Sequence, residues 1–223
     1  MTKKNDTLSL HWDQWFAGVI DGDGCFYINK KNEVSFEVTT SIFDVEVLNS
    51  IKNKLKGGSV KPRSGSNSFR YRVKTRLIIE TIVYKINGKL HNPARLSQFE
   101  KVCKILNIKI KQPTSKIKIT DAYLTGLIDS DGTISISISK TSNITSQKHG
   151  KEGKIVRLSK SRGFNQIYLK VTSIYIEPLL LIKNSYNLGT IYVEKKTFKT
   201  KNQKINIIGL LKAMKSFIFY MKF

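Results

Sequence analysis

Two short acidic segments with the same pattern occupy matching places in the two halves of this 223-residue chain. Residues 21–24 read DGDG and residues 129–132 read DSDG, 108 residues later. Carboxylate oxygens are the ligands that Mg²⁺ prefers, and the carbonyl oxygens of Gly22 and Ser130 are natural additional ligands. Two such acids at one point favour metal-assisted hydrolysis of a phosphodiester, because a bound metal activates water and stabilises the leaving oxygen. One copy alone is typical of a turn or a calcium loop, but neither copy continues as a calcium loop.

The apolar runs that precede these acids predict two helices that pack against each other. Small residues recur at a spacing of four in each run: Gly18 with Gly22, and Gly126 with Ser130. This spacing places them on one face of a helix, and two faces without bulky side chains let helix backbones approach closely. If these faces meet, Asp23 and Asp131 arrive together at one end of the helix pair.

A second repeated block indicates that the whole chain is a duplicated unit. Residues 36–53 resemble residues 168–185, with Val38 matched to Val171 at an offset of 133 residues, which predicts an insertion of 25 residues between Ser139 and Asn165. Each half is predicted to run helix, strand, strand, helix, strand, strand, helix, which gives an α+β fold. The predicted organisation is a first half over residues 1–106, an extended basic linker over residues 107–120 and a second half over residues 121–223. The apolar segment 207–219 is expected to be a core helix.

Composition and charge exclude several classes of protein. The chain has 39 Lys and Arg against 16 Asp and Glu, and its net charge of +23 favours a polyanionic partner, which for a globular chain means nucleic acid before a membrane surface. The two cysteines and three histidines have no zinc-site spacing, so Cys25 and Cys103 are expected to be buried free thiols. No apolar run approaches the length of a membrane span and no secretory signal is visible, so no membrane partner is expected. The excess of Lys, Ile and Asn is typical of AT-rich coding and favours an organelle, with the mitochondrion preferred to the chloroplast.

The segments Phe16–Gly24 (FAGVIDGDG) and Leu124–Gly132 (LTGLIDSDG) resemble the two motifs of single-chain LAGLIDADG homing endonucleases of the intron-encoded type, and of their maturase relatives. His91–Ile108 resembles the segment that closes the first half of such proteins. The resemblance implies a monomer of two pseudo-symmetric αββαββα halves. Their motif helices would form the interface, and saddle-shaped antiparallel sheets would lie over the DNA major groove.

The resemblance also implies a role for each acid. The last acid of each motif, Asp23 and Asp131, corresponds to the catalytic metal ligand, so that the two acids share two or three Mg²⁺ ions. A basic residue assists in each half, and Arg95 is the candidate in the first. The second half offers no clear partner, and its candidates are Lys199 and Lys222. The earlier acids are expected to be structural and to hold the ends of their helices: Asp21 and Asp129.

Strands with alternating polar and apolar residues predict the surface that contacts DNA. In the segment 69–75 (FRYRVKT), Arg70, Arg72 and Lys74 share one face. The remaining candidates for DNA contact, drawn from the other strands and loops, are Lys61, Tyr27, Asn29, Lys31, Ser135, Ser137, Lys170, Lys196 and Lys199. The side chains expected to point inward on the strand after the second motif are Ile134, Ile136 and Ile138. Acids expected on the helices that cover the outer side are Asp44, Glu46 and Glu177. Three aromatic residues near the motifs are expected to pack in the core and not to stack on bases: Trp12, Trp15 and Tyr123.

The function expected from these observations is sequence-specific cleavage of double-stranded DNA. The cut would leave short 3′ overhangs and promote homing of the host intron. Two alternatives stay open. The same scaffold could bind intron RNA as a maturase that assists splicing, or bind DNA without cutting it. The intact pair of acids favours cleavage, because neither alternative needs them.

Overall fold

The computed structural model describes residues 2–139, 164–193 and 207–212. The first half contains α1 (Thr2–Asp23), β1 (Gly24–Ile28), β2 (Val34–Ser41), a 3₁₀ turn (Ile42–Asp44), α2 (Val45–Leu55), β3 (Ser59–Pro62), β4 (Ser68–Val73), α3 (Arg76–Ile86) and α4 (Pro93–Leu106). The second half contains α5 (Tyr123–Asp131), β5 (Gly132–Ser139), β6 (Phe164–Ser173), α6 (Glu177–Tyr186), β7 (Thr190–Val193) and β8 (Ile207–Lys212). No helix or strand lies between α4 and α5.

The strands form two antiparallel sheets with the same order, β1-β2-β4-β3 and β5-β6-β8-β7. Gly24 pairs with Val38 in the first sheet, and Gly132 pairs with Val171 in the second. These pairs are related by the two offsets read from the sequence, so the α+β fold and the duplication are both confirmed. The predicted insertion falls at residues 140–163, outside the described residues.

The prediction of a core helix over 207–219 is wrong where the structure describes it. Residues 207–212 form β8, which pairs with β6 on one side and β7 on the other. A short apolar run fits a buried strand as well as a helix, and here pairing on both edges satisfies the backbone. Residues 213–219 lie outside the described residues.

The core of the first half lies between the inner face of its sheet and the helices. Phe36 and Phe26, on neighbouring strands, have ring centroids 5.0 Å apart, and Phe99 of α4 lies 6.4 Å from Phe26. The core also includes buried residues of α2 and α3: Leu48, Ile51, Leu55, Ile79, Ile82, Val83 and Ile86. The three aromatic residues near the motifs belong to this packing as expected, since Tyr123 is buried and Trp12 and Trp15 pack against the core.

Helices α1 and α5 meet through their glycines. A Cβ placed on Gly18 would overlap the Tyr123 carbonyl oxygen and lie 2.7 Å from the Leu127 nitrogen. A Cβ on Gly126 would overlap the Trp15 carbonyl oxygen in the same way. The predicted contact between the small faces is therefore confirmed, and only glycine permits this backbone separation.

Two expectations about burial are wrong. Ile134 of β5 is 58% exposed, whereas its counterpart Phe26 in β1 is 4% exposed because α4 covers it. No helix within the described ranges covers β5 in that way. Cys103 is buried as expected, but Cys25 is only half-buried because it lies on the outer face of β1. No helix among the described residues has the length and apolar character needed to cross a membrane.

Candidate metal centre and nucleic-acid interface

The last acid of each motif ends its helix, and a sheet begins at the next residue. Asp23 is the final residue of α1 and Asp131 is the final residue of α5. The Gly22 backbone lies so close to α5 that a Cβ there would overlap the Ser130 side chain and lie 3.0 Å from Asp131 Oδ2. Close packing of the helices therefore brings together the predicted metal-ligating residues of both halves.

The two carboxyl groups are in a poor environment for negative charge. Burial and the neighbouring charge of Asp131 raise the pKa of Asp23 to about 7, and burial raises the pKa of Asp131 to about 6. The positive charge of Arg95 acts in the opposite direction on both pKa values. A divalent cation would favour the ionised form of both groups and relieve their repulsion.

The donor set fits a hard cation such as Mg²⁺. No group of three or more His, Cys, Asp and Glu side chains in the described part of the chain could hold a metal ion. Two carboxylates would therefore need oxygens from the backbone, from water or from a phosphate to complete the shell, as Mg²⁺ commonly does. The Gly22 carbonyl oxygen lies beside these acids and accepts a bond from Arg95 Nη2 at 3.3 Å. Arg95, in the first turn of α4, is thus placed at the acidic centre as the sequence predicted.

Asp21 is buried and connects three parts of the molecule. Its Oδ2 accepts hydrogen bonds from the backbone N–H groups of His91 at 2.6 Å and Asn92 at 3.1 Å, and from the Tyr123 hydroxyl at 2.7 Å. The Asn92 amide returns a bond to the Asp21 carbonyl oxygen at 2.8 Å, and its oxygen caps α4. These contacts fix where α4 begins, and hence where Arg95 lies. Sequence reasoning missed His91 and Asn92, whose only signal was the Asn-Pro that opens α4.

The aromatic residue at the start of each motif bonds to the earlier acid of the other motif. Tyr123 donates to Asp21, and Trp15 Nε1 donates to Asp129 Oδ2 at 2.7 Å. Each member of one pair lies 108 residues from its counterpart in the other, so the two bonds are pseudo-symmetric. The expected structural role of both earlier acids is confirmed by these contacts, which cross the helix interface.

Asp44 is a residue whose position the sequence analysis placed wrongly. Its charge contributes to the raised pKa of Asp23, so it lies near the acidic centre and not on the outer side. The strand register explains this position. Val38 pairs with Gly24, which directly follows Asp23, so the chain beyond Val38 runs past the end of α1. Glu46 and Glu177, the other two acids, are exposed near the starts of α2 and α6.

The outer face of the first sheet is strongly cationic. A groove of about 580 Å³ on this face is lined by five basic side chains: Lys61, Arg63, Arg70, Arg72 and Lys74. Lys61 pairs with Arg70 in the register of β3 and β4. Glu37 of β2 contacts Arg70 Nη1 at 3.1 Å and Arg72 Nε at 2.8 Å. The structure therefore groups the predicted first-half cations, and it adds Arg63 and Glu37.

The hairpin between β1 and β2 carries the other first-half candidates. Tyr27 is 58% exposed, and Lys31 is exposed at the turn. The Asn29 side-chain oxygen accepts from the N–H groups of Lys31 and Glu33, both at 2.9 Å, so Asn29 shapes the turn. A second groove, of about 550 Å³, is lined in part by Tyr27, Asn29, Lys31 and Arg72.

The second sheet carries fewer of the predicted contacts within the described residues. Ser135 is exposed on β5, and Lys170 is half-buried on β6 opposite Thr133. Ser137 pairs with Gln166 in the same ladder. Predicted residues that lie outside the described ranges are Lys196, Lys199 and Lys222.

Comparison with known proteins gives one family and a consistent set of relatives. Residues 16–118 match the sequence profile of the family described as LAGLIDADG endonuclease. The chain is 31% identical over 219 residues to a probable intron-encoded endonuclease, aI2, of Debaryomyces hansenii, across 95% of this chain and 32% of that protein. It is 43% identical over 128 residues to the intron-encoded RNA maturase bI4 of Saccharomyces cerevisiae, across 56% of this chain and 19% of that protein. The chain thus spans about a third or less of the length of these two relatives.

A solved structure shares the fold. The meganuclease I-SmaMI bound to uncleaveable DNA superposes with a TM-score of 0.58, across 90% of this chain and 79% of that chain, at 18% identity. At this identity the likeness concerns the fold alone.

Proposed function

This chain belongs to the LAGLIDADG endonuclease family, and we propose that it is a sequence-specific endonuclease that hydrolyses one phosphodiester bond in each strand of double-stranded DNA. One observation carries the proposal. Asp131 of the second half lies against Gly22 of the first, so that two acids meet where two similar sheets begin. The rest of the chain has a net charge suited to holding a polyanion over this acidic centre.

The chain's own residues divide the work at this centre. Asp23 and Asp131, with the carbonyl oxygens of Gly22 and Ser130, would bind two or three Mg²⁺ ions. Bound Mg²⁺ supplies activation of water and stabilisation of the leaving oxygen. Arg95 is placed to neutralise charge that develops on the scissile phosphate. Cutting would leave short 3′ overhangs and serve intron homing, by a monomer in an organelle, with the mitochondrion preferred.

Positioning on DNA falls to the basic faces of the two sheets. The groove lined by Lys61, Arg63, Arg70, Arg72 and Lys74 offers five cations within one face of the first sheet. Cations on such a face neutralise phosphates, and side chains of a sheet laid in the major groove can contact base edges. Tyr27 and Lys31 at the hairpin, with Ser135 and Lys170 on the second sheet, would extend this contact on either side of the acids.

An RNA maturase is the second candidate, because the relative with 43% identity is named as one. A maturase needs the basic surface and not the paired acids. The close packing that brings Asp131 against Gly22 therefore favours the nuclease, and a chain with both activities is compatible with the same fold.

The test compares the two substrates directly. The protein is incubated with Mg²⁺ and a plasmid library of candidate intron-insertion sites, and its binding to the host intron RNA is measured in parallel. Linear plasmid at one site, absent when EDTA replaces Mg²⁺, supports the endonuclease. Tight binding of the intron RNA with no cut at any site would contradict it.

A further inference from the structure

Glu37 is an acidic residue on the cationic face of the first sheet, and it contacts two arginines. Its carboxylate lies 3.1 Å from Arg70 Nη1 and 2.8 Å from Arg72 Nε, and its side chain is 19% exposed. Arg72 is its direct partner in the ladder between β2 and β4, and Arg70 is opposite Thr39, two residues further along β2. One carboxylate therefore holds the guanidinium groups of two successive outward positions on β4.

A carboxylate at this place does not help to bind phosphate. It repels the DNA backbone and cancels part of the positive charge that non-specific binding uses. Its contacts instead restrict two long, flexible side chains, and each contact uses one nitrogen of its guanidinium, which leaves other N–H donors for a ligand. Orientation of a planar guanidinium matters for a paired acceptor such as the O6 and N7 edge of guanine, and matters much less for a point charge on a phosphate.

The second sheet has different chemistry at the equivalent positions. Because both sheets have the same strand order and register, Glu37 corresponds to Lys170, which pairs with Leu210 where Glu37 pairs with Arg72. Arg70 pairs with Thr39, and the equivalent pair is Ile208 with Thr172. The acid and both arginines are thus replaced together in the register of the second sheet.

Β-strand β4 is also an internal strand, paired with β2 on one side and β3 on the other. Its outward side chains lie in the middle of the sheet face, where a base edge is closer than the backbone if the sheet follows the major groove. We propose that Glu37 is a positioning residue that fixes Arg70 and Arg72 as a guanine-reading pair, and that the DNA target therefore requires guanines in the half under the first sheet only. This inference rests on the proposed function and names the bases that one half of its substrate must contain.

The experiment selects bound duplexes from a randomised DNA library with Ca²⁺ in place of Mg²⁺, followed by sequencing. The wild type is expected to enrich guanine at positions in one half of the selected site. Arg72→Lys keeps the charge but loses the paired donors, so discrimination against other bases at one of those positions should fall about tenfold with little change in affinity. Glu37→Gln should keep or increase total affinity and lower the guanine preference at the same positions.

Lys61→Gln is the matched control on the neighbouring strand. A lysine that contacts phosphate contributes equally at every sequence, so this variant should lose affinity uniformly, lower the salt dependence and leave the guanine preference unchanged. The inference is overturned if the selected sites lack guanine in either half, or if Arg72→Lys and Glu37→Gln both keep the wild-type preference. If the wild type selects no duplex sequence at all, the proposed function fails as well, and this outcome is distinct because every position of the library then stays random.

Discussion

Substitution of Gly126 by alanine tests the packing that brings the two acids together. A Cβ at this position would lie 2.8 Å from the Trp15 carbonyl carbon and closer still to its oxygen. Ordinary van der Waals contact begins near 3.4 Å, so α1 and α5 must separate by about 0.6 Å or more. The obstructing atoms are backbone atoms, which cannot rotate away as a side chain would.

The expected change in stability has a definite sign. Helix propensity alone favours alanine over glycine by about 1 kcal/mol. Overpacking a tight interface costs about 1–3 kcal/mol, and a backbone clash lies at the upper end of this range. The net expectation is a loss of about 1–2 kcal/mol in the free energy of unfolding. Thr125→Ala, at an exposed position on the same helix, is the control and should be neutral or slightly stabilising.

A double-mutant cycle then isolates the shared cause. Gly18→Ala imposes the same separation from the other side, because its Cβ would overlap the Tyr123 carbonyl oxygen. Once one alanine has separated the helices, the second costs less, so the double variant should lose less stability than the sum of the single losses. Cleavage under single-turnover conditions should fall about tenfold to a hundredfold in Gly126→Ala, since displacement of Asp131 by part of an ångström spoils the geometry of the centre.

Urea unfolding and single-turnover cleavage measure these effects on the same protein samples. A Gly126→Ala variant that is more stable than the wild type by the helix-propensity increment, and that cuts DNA at the wild-type rate, would refute this account of the interface.

Further predictions concern the buried groups around the centre. Tyr123→Phe removes a donor from the buried Asp21 and should lower the free energy of unfolding by about 1–3 kcal/mol, measured with urea; an unchanged value would contradict the role of this bond. Asp23 has its pKa raised to about 7 in the folded, metal-free protein, so its ionisation weakens folding as pH rises from about 4 to about 7. Asp23→Asn should therefore gain stability relative to the wild type across this range in EDTA, and a difference that is constant with pH would contradict the shift. Phe99→Ala should cost about 3–5 kcal/mol because it uncovers Phe26, and a thermal unfolding midpoint equal to that of the wild type would show that α4 does not protect β1.

Local sequence patterns predicted most of the first half. The alternation in residues 69–75 marked β4 and its cationic face, and the Asn-Pro before α4 marked a helix start within one residue of the observed Pro93. Repetition of the motif, with small residues four apart, predicted the helix interface and the meeting of Asp23 and Asp131. These features depend on neighbours within one turn or one strand, which a sequence displays directly.

Contacts between distant residues were not predictable in the same way. Asp21 carries no sign that its carboxylate binds the N–H groups of His91 and Asn92, about 70 residues away. The position of Asp44 depends on strand register, which no periodicity fixes. The burial of Ile134 was inferred from alternation, but alternation gives only the face of a strand and not whether a helix covers that face.

Cleavage of the selected target by three aspartate variants tests the central claim most directly. With Mg²⁺ added to preformed complexes, Asp23→Asn and Asp131→Asn should each lose at least about a hundredfold in the rate of cutting while still binding the target in Ca²⁺. Asp129→Asn, which changes an acid that bonds Trp15 two residues away, should keep most of the activity. Cutting at the wild-type rate by either Asp23→Asn or Asp131→Asn would contradict a shared metal centre at the helix ends.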